Sequence, residues 1–187
     1  MKKIISLTLA LVLALSLAAC GKNGNTDSSA DVPADANTLL TTVWDSYTDD
    51  EKFPASGGDY TTPVEDAPGA VDISDADNLN YMLTLPVEDA SKIDGAAALS
   101  HMMNANTFTC GAFHVKSSAD VETVANALRE NILRRQWMCG FPDKLVILRA
   151  GDYVISFFGK ETPVDTFKTR TLEAFSAASV VCDEPIE

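Results

Sequence analysis

The chain has 187 residues, and its 14 basic and 27 acidic side chains give a formal net charge of −13. A balance this far to the acid side excludes nucleic acid and anionic headgroups as partners for its surface. At this length one domain of ordinary size is expected, large enough to bury its own core.

Lys2 and Lys3 form a positive n-region, and residues 4 to 14 continue as an apolar run too short for a permanent span. The run closes on Leu17, Ala18, Ala19 and Cys20, which resembles the lipobox of bacterial lipoproteins. There, small residues suit a dedicated peptidase and the cysteine receives diacylglycerol before cleavage. The resemblance implies a signal peptide over residues 1–19, a lipid on Cys20 and a mature chain anchored at the outer face of a bacterial cell membrane. No other segment reaches about 18 uninterrupted apolar residues, so nothing else is expected to span a bilayer. Residues 21 to 36 hold no large aliphatic or aromatic side chain except Val32 and read as a disordered tether, which together with Cys20 covers residues 20–36. A single α+β domain is expected over residues 37–187.

Without residues 1–19 the charge is 12 basic against 27 acidic groups, −15, and it is lopsided. Residues 20–100 carry Lys22, Lys52 and Lys92 against 16 acids, whereas residues 101–187 carry 9 basic and 11 acidic groups. Solubility is the simplest use of such a surface; a basic partner or loosely held cations are the others.

Leu39, Leu40, Val43, Trp44 and Tyr47 share one helical face behind a cap at Asn37, which predicts a helix over 37–49. Residues 52–72 carry Pro54, Gly57, Gly58, Pro63, Pro68 and Gly69 and read as a long irregular connection. Ser74 caps a short helix that passes Asn80, reaches about Leu83 and is ended by Pro86. AAALSHMM and TFTCGAFHV form extended runs around Asn104, Ala105 and Asn106, a hairpin. Ser117 and Asp120 suggest a capping box for a helix to about Gln136, with Gly140 and Pro142 stopping the chain beyond it. LVIL and YVISFF follow as apolar strands joined through Gly151 and Asp152, compatible with a II′ turn. Thr162, Pro163 and Asp165 open a last helix presenting Val164, Phe167, Leu172 and Phe175. The order ααββαββα indicates an α+β fold: a four-stranded, largely antiparallel sheet with helices packed against one face.

The segments SHMMNANTFTCGAFHVK, RQWMCGFPDKL and GDYVISFFG are similar to those of uncharacterised lipoproteins of gut Firmicutes, over roughly residues 37 to 175. The resemblance implies a fold and an envelope address but no catalytic residues. Some of those relatives are labelled bacteriocin transport accessory proteins, which implies the handling of a peptide toxin, often by thioredoxin-like redox chemistry. This chain has no CxxC to carry such chemistry.

Candidate chemistry is sparse. Zinc needs three or four close ligands and only His101 and His114 offer imidazoles, so no metal and no cofactor is expected. A three-residue hairpin loop puts His101 opposite Thr109, with His114 on the other face of the sheet; a loop of even length puts His101 beside Cys110. Cys110 reads as a small buried hydrophobe and Cys139 as loop packing; with Cys182 they form an odd set that permits one disulfide. No GxSxG is present for a serine nucleophile. Asp72, Ser74, Asp75 and Asp77 lack the glycine and glutamate of a calcium loop and read as first-turn acids. Arg129, Arg134 and Arg135 read as a solvated helix face able to receive an acidic segment of the same chain.

The expectation for function is therefore a non-enzymatic binding or accessory module at the envelope, its partner a peptide or an envelope protein. A peptide-transport accessory role and an enzyme without a recognisable motif are the alternatives. The candidate partner-binding residues are Trp137, Met138 and Phe141, where a helix ends in a Gly-Pro loop, with Met102 and Met103 near the hairpin tip. The competing reading makes Trp137 and Phe141 plugs for the end of the core.

Overall fold

The computed structural model describes residues 32–187. The expected signal peptide, Cys20 and most of the expected tether lie outside those residues. The chain runs α1 (Ala36–Asp45), β1 (Ala55–Gly58), β2 (Pro63–Glu65), β3 (Gly69–Ala70), α2 (Ala76–Leu83), a 3-10 turn (Val87–Lys92), β4 (Ile93–His101) and β5 (Phe108–Val115). It continues through α3 (Val121–Arg134), β6 (Lys144–Ala150), β7 (Tyr153–Gly159), α4 (Glu161–Ala174) and β8 (Ala178–Pro185).

The fold is α+β, with one open antiparallel sheet in the order β2-β1-β4-β5-β7-β6-β8 and β3 also paired to β4. The expected four-stranded sheet is its centre, β4-β5-β7-β6, but the described residues form eight strands. Tertiary pairing supplied the extra four. Residues 52–72, expected as irregular, yield three short strands, because Gly57 and Gly69 let two backbone segments approach where a Cβ on Gly57 would sit 2.2 Å from the Gly69 amide nitrogen. The segment after the last helix, for which no strand was expected, pairs along β6 as β8, with a bulge between Ile147 and Leu148.

Helices cover both faces of the sheet, not one. Leu99, Phe108, Cys110, Val146, Leu148, Ile155 and Phe157 point to a first face under α1 and α4, where they meet Leu40, Trp44 and Phe167. Ala98, Phe113, Leu145, Ile147, Val154 and Phe158 point to a second face under α2 and α3, where they meet Leu79, Leu83, Leu128 and Ile132. Every residue of β7 is buried, as a strand covered on both sides requires. That continuous apolar run was legible; its two-sided meaning was not.

Helix signals operated one or two residues away from where they were read. Asp35, not Asn37, caps α1 by accepting the Thr38 amide at 2.8 Å, and Val32 packs against the first core. Asp75, not Ser74, caps α2, and Thr84 ends it in the left-handed region at φ 61°. In the β6–β7 turn Gly151 takes φ 59° while Asp152 stays at negative φ, the pattern of a II′ turn. α4 buries Thr171 where Leu172 was expected.

Candidate functional site

The β4–β5 pairing places Ser100 opposite Thr109 and Leu99 opposite Cys110, so the loop spans residues 102–107 and neither expected register occurs. His101 stacks on Phe53 with ring centroids 5.3 Å apart, and His114 hydrogen-bonds Asp94 at 2.5 Å beside Tyr153. The two imidazoles thus lie at opposite ends of the hairpin but toward the same face, correcting the opposite-face expectation. Among the described residues no three His, Cys, Asp or Glu side chains converge to hold a metal ion. Cys110, Cys139 and Cys182 are all free thiols. Burial pushes the Cys110 thiol far up, and burial aided by a hydrogen bond to Glu184 pushes Cys182 up to about 11, so both stay protonated and poorly nucleophilic.

The hairpin loop and the loop after α3 meet at one end of the molecule. The Asn104 side-chain amide donates to the Cys139 carbonyl at 3.1 Å, and that of Asn106 donates to the carbonyls of Met138 and Gly140 at 2.8 and 2.9 Å. Lys160 donates to the Phe141 carbonyl at 2.8 Å and pairs with Asp143 at 2.9 Å, closing the other side. Two segments separated by more than thirty positions are therefore held as one tip.

Large apolar side chains at this end face solvent. Met102, Met103, Met138, Phe141, Tyr60 and Tyr81 are between 52% and 79% exposed. Trp137 behaves differently: it is half-buried, lies 5.0 Å from the Phe158 ring, and carries the Arg135 guanidinium 5.5 Å above its own ring. The Trp137 indole belongs to the rim of the second core and supports Arg135; Met138 and Phe141 are the exposed members of that loop.

Beside the tip the second face of the sheet is left open, because α3 stops at Arg134. The result is a groove of about 500 Å³ lined by Met102 and Met103, by Tyr60 and Tyr81, and by Phe158 and Arg135. Its floor is a cross-strand row of small hydroxyl residues, Ser56 opposite Ser100 and Ser100 opposite Thr109. The Thr109 hydroxyl donates to the Ala105 carbonyl at 2.9 Å. Tyr60 and Tyr81 stand with ring centroids 6.1 Å apart, and Arg135 donates to the Tyr81 carbonyl at 3.2 Å.

The sequence singled out Met102 and Met103, which line this groove, but not Tyr60, Tyr81 or Arg135, which line it with them. Tyr81 carries a signal in hindsight, since on α2 it falls between the buried Leu79 and Leu83 and so must point outward. Tyr60 sits in a Gly-rich stretch that has no periodicity to read. Arg129, from the same basic cluster, does receive an acidic segment, pairing with Glu184 of β8 at 2.7 Å.

The described chain starts at the opposite end of the sheet. Val32 lies 3.8 Å from the position a Cβ on Gly151 would take, at the β6–β7 turn. From there to the hairpin tip is the length of β5, eight residues, or roughly 26 Å. No helix of the described residues is long and apolar enough to cross a membrane. No protein-family model, curated protein or solved structure matches the chain.

Proposed function

We propose that the protein is a lipoprotein tethered through Cys20 to the outer face of a bacterial membrane, a non-enzymatic module that docks an envelope partner or peptide through its apolar tip. The observation that carries this reading is polarity of the fold: exposed Met102, Met103, Met138 and Phe141 gather at the end remote from Val32, where the chain leads back toward Cys20. An apolar patch on the tether side would suit the bilayer itself, whereas one at the far end faces what lies beyond. The lipobox-like LAAC and the polar residues 21–31 support the tethered arrangement. Likeness to gut Firmicutes lipoproteins fits the same address.

The test has two parts. Mass spectrometry of the mature amino terminus is expected to find residues 1–19 gone and Cys20 acylated, with Cys20→Ala released from membranes. A photo-crosslinking residue at Phe141 or Met103 is then expected to give a discrete adduct in intact cells, whereas one at Val87, 44% exposed elsewhere on the surface, gives none. Adducts that are the same at tip and control positions overturn the docking reading; an unmodified Cys20 in membrane-bound protein overturns the anchor.

A further inference from the structure

Arg135 has no carboxylate partner among the described residues, in a chain with almost twice as many acids as bases. On the helix that precedes it, Arg129 holds Glu184 and Arg134 holds Glu130. Arg135 is also held in place, by its bond to the Tyr81 carbonyl and by the Trp137 ring beneath it. A guanidinium has five N–H donors, and among the described residues one of them is used, toward the Tyr81 carbonyl. Arg135 lines the groove together with Tyr60, Tyr81, Met102, Met103 and Phe158, and the Asp59 carboxylate in the same lining is already engaged by the Thr61, Thr62 and Asp72 amides. Partial burial and the nearby Tyr81 push the Tyr60 phenol up while Arg135 pulls it down, which keeps the Tyr60 hydroxyl a neutral donor next to the cation. On the floor, the Ser56 and Ser100 hydroxyls have no hydrogen-bond partner among the described residues.

We infer that the groove binds a short, apolar peptide segment bearing one carboxylate, with the carboxylate seated on Arg135 and the apolar side chains on Met102, Met103 and Phe158. This rests on the reading of the tip as a docking surface and gives that surface its ligand chemistry. Charge selects the class. A guanidinium beside phenol hydroxyls is a carboxylate site, yet the acidic body of the protein repels a polyanion, so a single negative charge on an otherwise apolar segment is the match. Size agrees, since about 500 Å³ admits a few residues and no folded domain. Thioether side chains at the rim adapt to varied apolar groups, and the floor hydroxyls can meet the amides of an extended backbone. The carboxylate comes either from a chain terminus or from an aspartate or glutamate side chain.

Equilibrium dialysis of the full chain in detergent decides the matter, using pools of N-acetylated pentapeptides with Leu, Met, Phe or Tyr at each of the last three positions. One pool ends in a free carboxylate, a second in a carboxamide, and a third ends in a carboxamide but has glutamate in place of the last apolar residue. The free-acid pool is expected to bind about tenfold better than the carboxamide pool, the worth of one charge-assisted contact. Arg135→Gln should lower the free-acid pool to the carboxamide level without changing the latter, and Arg135→Lys should keep part of the preference. If the glutamate pool matches the free acid, a side-chain carboxylate suffices; if it matches the carboxamide, the site reads a terminus. Equal binding of acid and amide, a preference that survives Arg135→Gln, or binding of N-acetylglucosamine oligomers in place of every pool overturns the inference. Equal binding that disappears in Met103→Ser separates the two proposals: the tip still docks apolar segments, and the carboxylate assignment alone falls. Absence of binding in every pool overturns the carboxylate peptide, and the crosslinking at Phe141 then judges the tip by itself.

Discussion

Asp59 shows how much one buried side chain organises. Its carboxylate accepts from the amides of Thr61, Thr62 and Asp72 and from the Thr61 and Thr62 hydroxyls, so it pins the β1–β2 turn to the segment entering α2. The Thr61 hydroxyl, then the Asp72 and Thr62 amides, hold its pKa well below the usual carboxylate range. A lowered folded value means that this stabilisation is complete above the unfolded value and is lost as pH falls through the folded one. The acid limb of the stability curve should therefore be shallower in Asp59→Asn than in the native chain below about pH 4, where native Asp59 begins to give up its contribution. Parallel limbs in urea titrations from pH 6 to 2 would count against it. The same turn carries Tyr60, so the variant should also loosen one wall of the groove. At the tip, Trp137→Ala removes a half-buried ring packed at a tilt against Phe158 and should cost roughly 2–3 kcal/mol, whereas Phe141→Ser, on an exposed ring, should stay within about 0.5 kcal/mol. Chemical denaturation of the two variants checks this, and a large loss in Phe141→Ser would return that residue to the core.

Two sets of contacts hold elements together in ways that can be measured separately. The side chains of Asn104 and Asn106 carry the loop after α3, which otherwise has Cys139 at φ 62° and few buried anchors. Asn106→Ala should raise amide exchange over residues 138–141 while barely moving the melting temperature, since the lost bonds are exposed. At the other edge, Lys144 and Lys168 bridge Asp165 of α4 and Asp183 of β8 with contacts of 2.7 to 3.3 Å. The hydrogen bond from Lys144 lowers Asp165, and that to Asp183 raises Lys168. The carboxylate side of this clip is lost as pH falls below its lowered value, and the lysine side as pH rises past its raised one. β8 should accordingly show its greatest protection, as exchange relative to the intrinsic rate at each pH, between roughly pH 5 and 10. Lys144→Ala should cost roughly 1–2 kcal/mol after solvent screening and free β8 first. Exchange rates in β8 equal to the native chain would refute that order.

On the scale of the molecule, β5 and β7 are shared by both cores, so neither face can unfold while the other persists. A chain beginning at Val32 should melt in one transition that a chelator leaves unchanged. One beginning at Ala36 should lose about 1 kcal/mol, because Asp35 caps α1 and Val32 packs on the first core. Two resolved transitions in calorimetry would refute the shared-strand argument. The acidic half of the chain, residues 20–100, forms α1, β1 to β4 and α2, and the tip draws most of its side chains from the less acidic remainder.

The sequence alone determined what depends on near neighbours: the apolar faces of α1 and α3, the central strands of the sheet, the turn at Gly151 and the α+β class all follow from periodicities of a few residues. It also singled out residues 137–143 and the Met102–Met103 pair, because exposed apolar groups in loops break the local pattern. Only the tertiary structure decided the hairpin register, the four added strands and the second covered face, since no local period fixes a pairing register and β1, β3 and β8 pair with strands more than twenty residues away. It alone joined Asn104 to Cys139 and brought Tyr60, Tyr81 and Arg135 around one groove. Those residues look ordinary in sequence because their chemistry resides in their mutual distances, and the ladder of β1, β4 and β5 is what sets those distances.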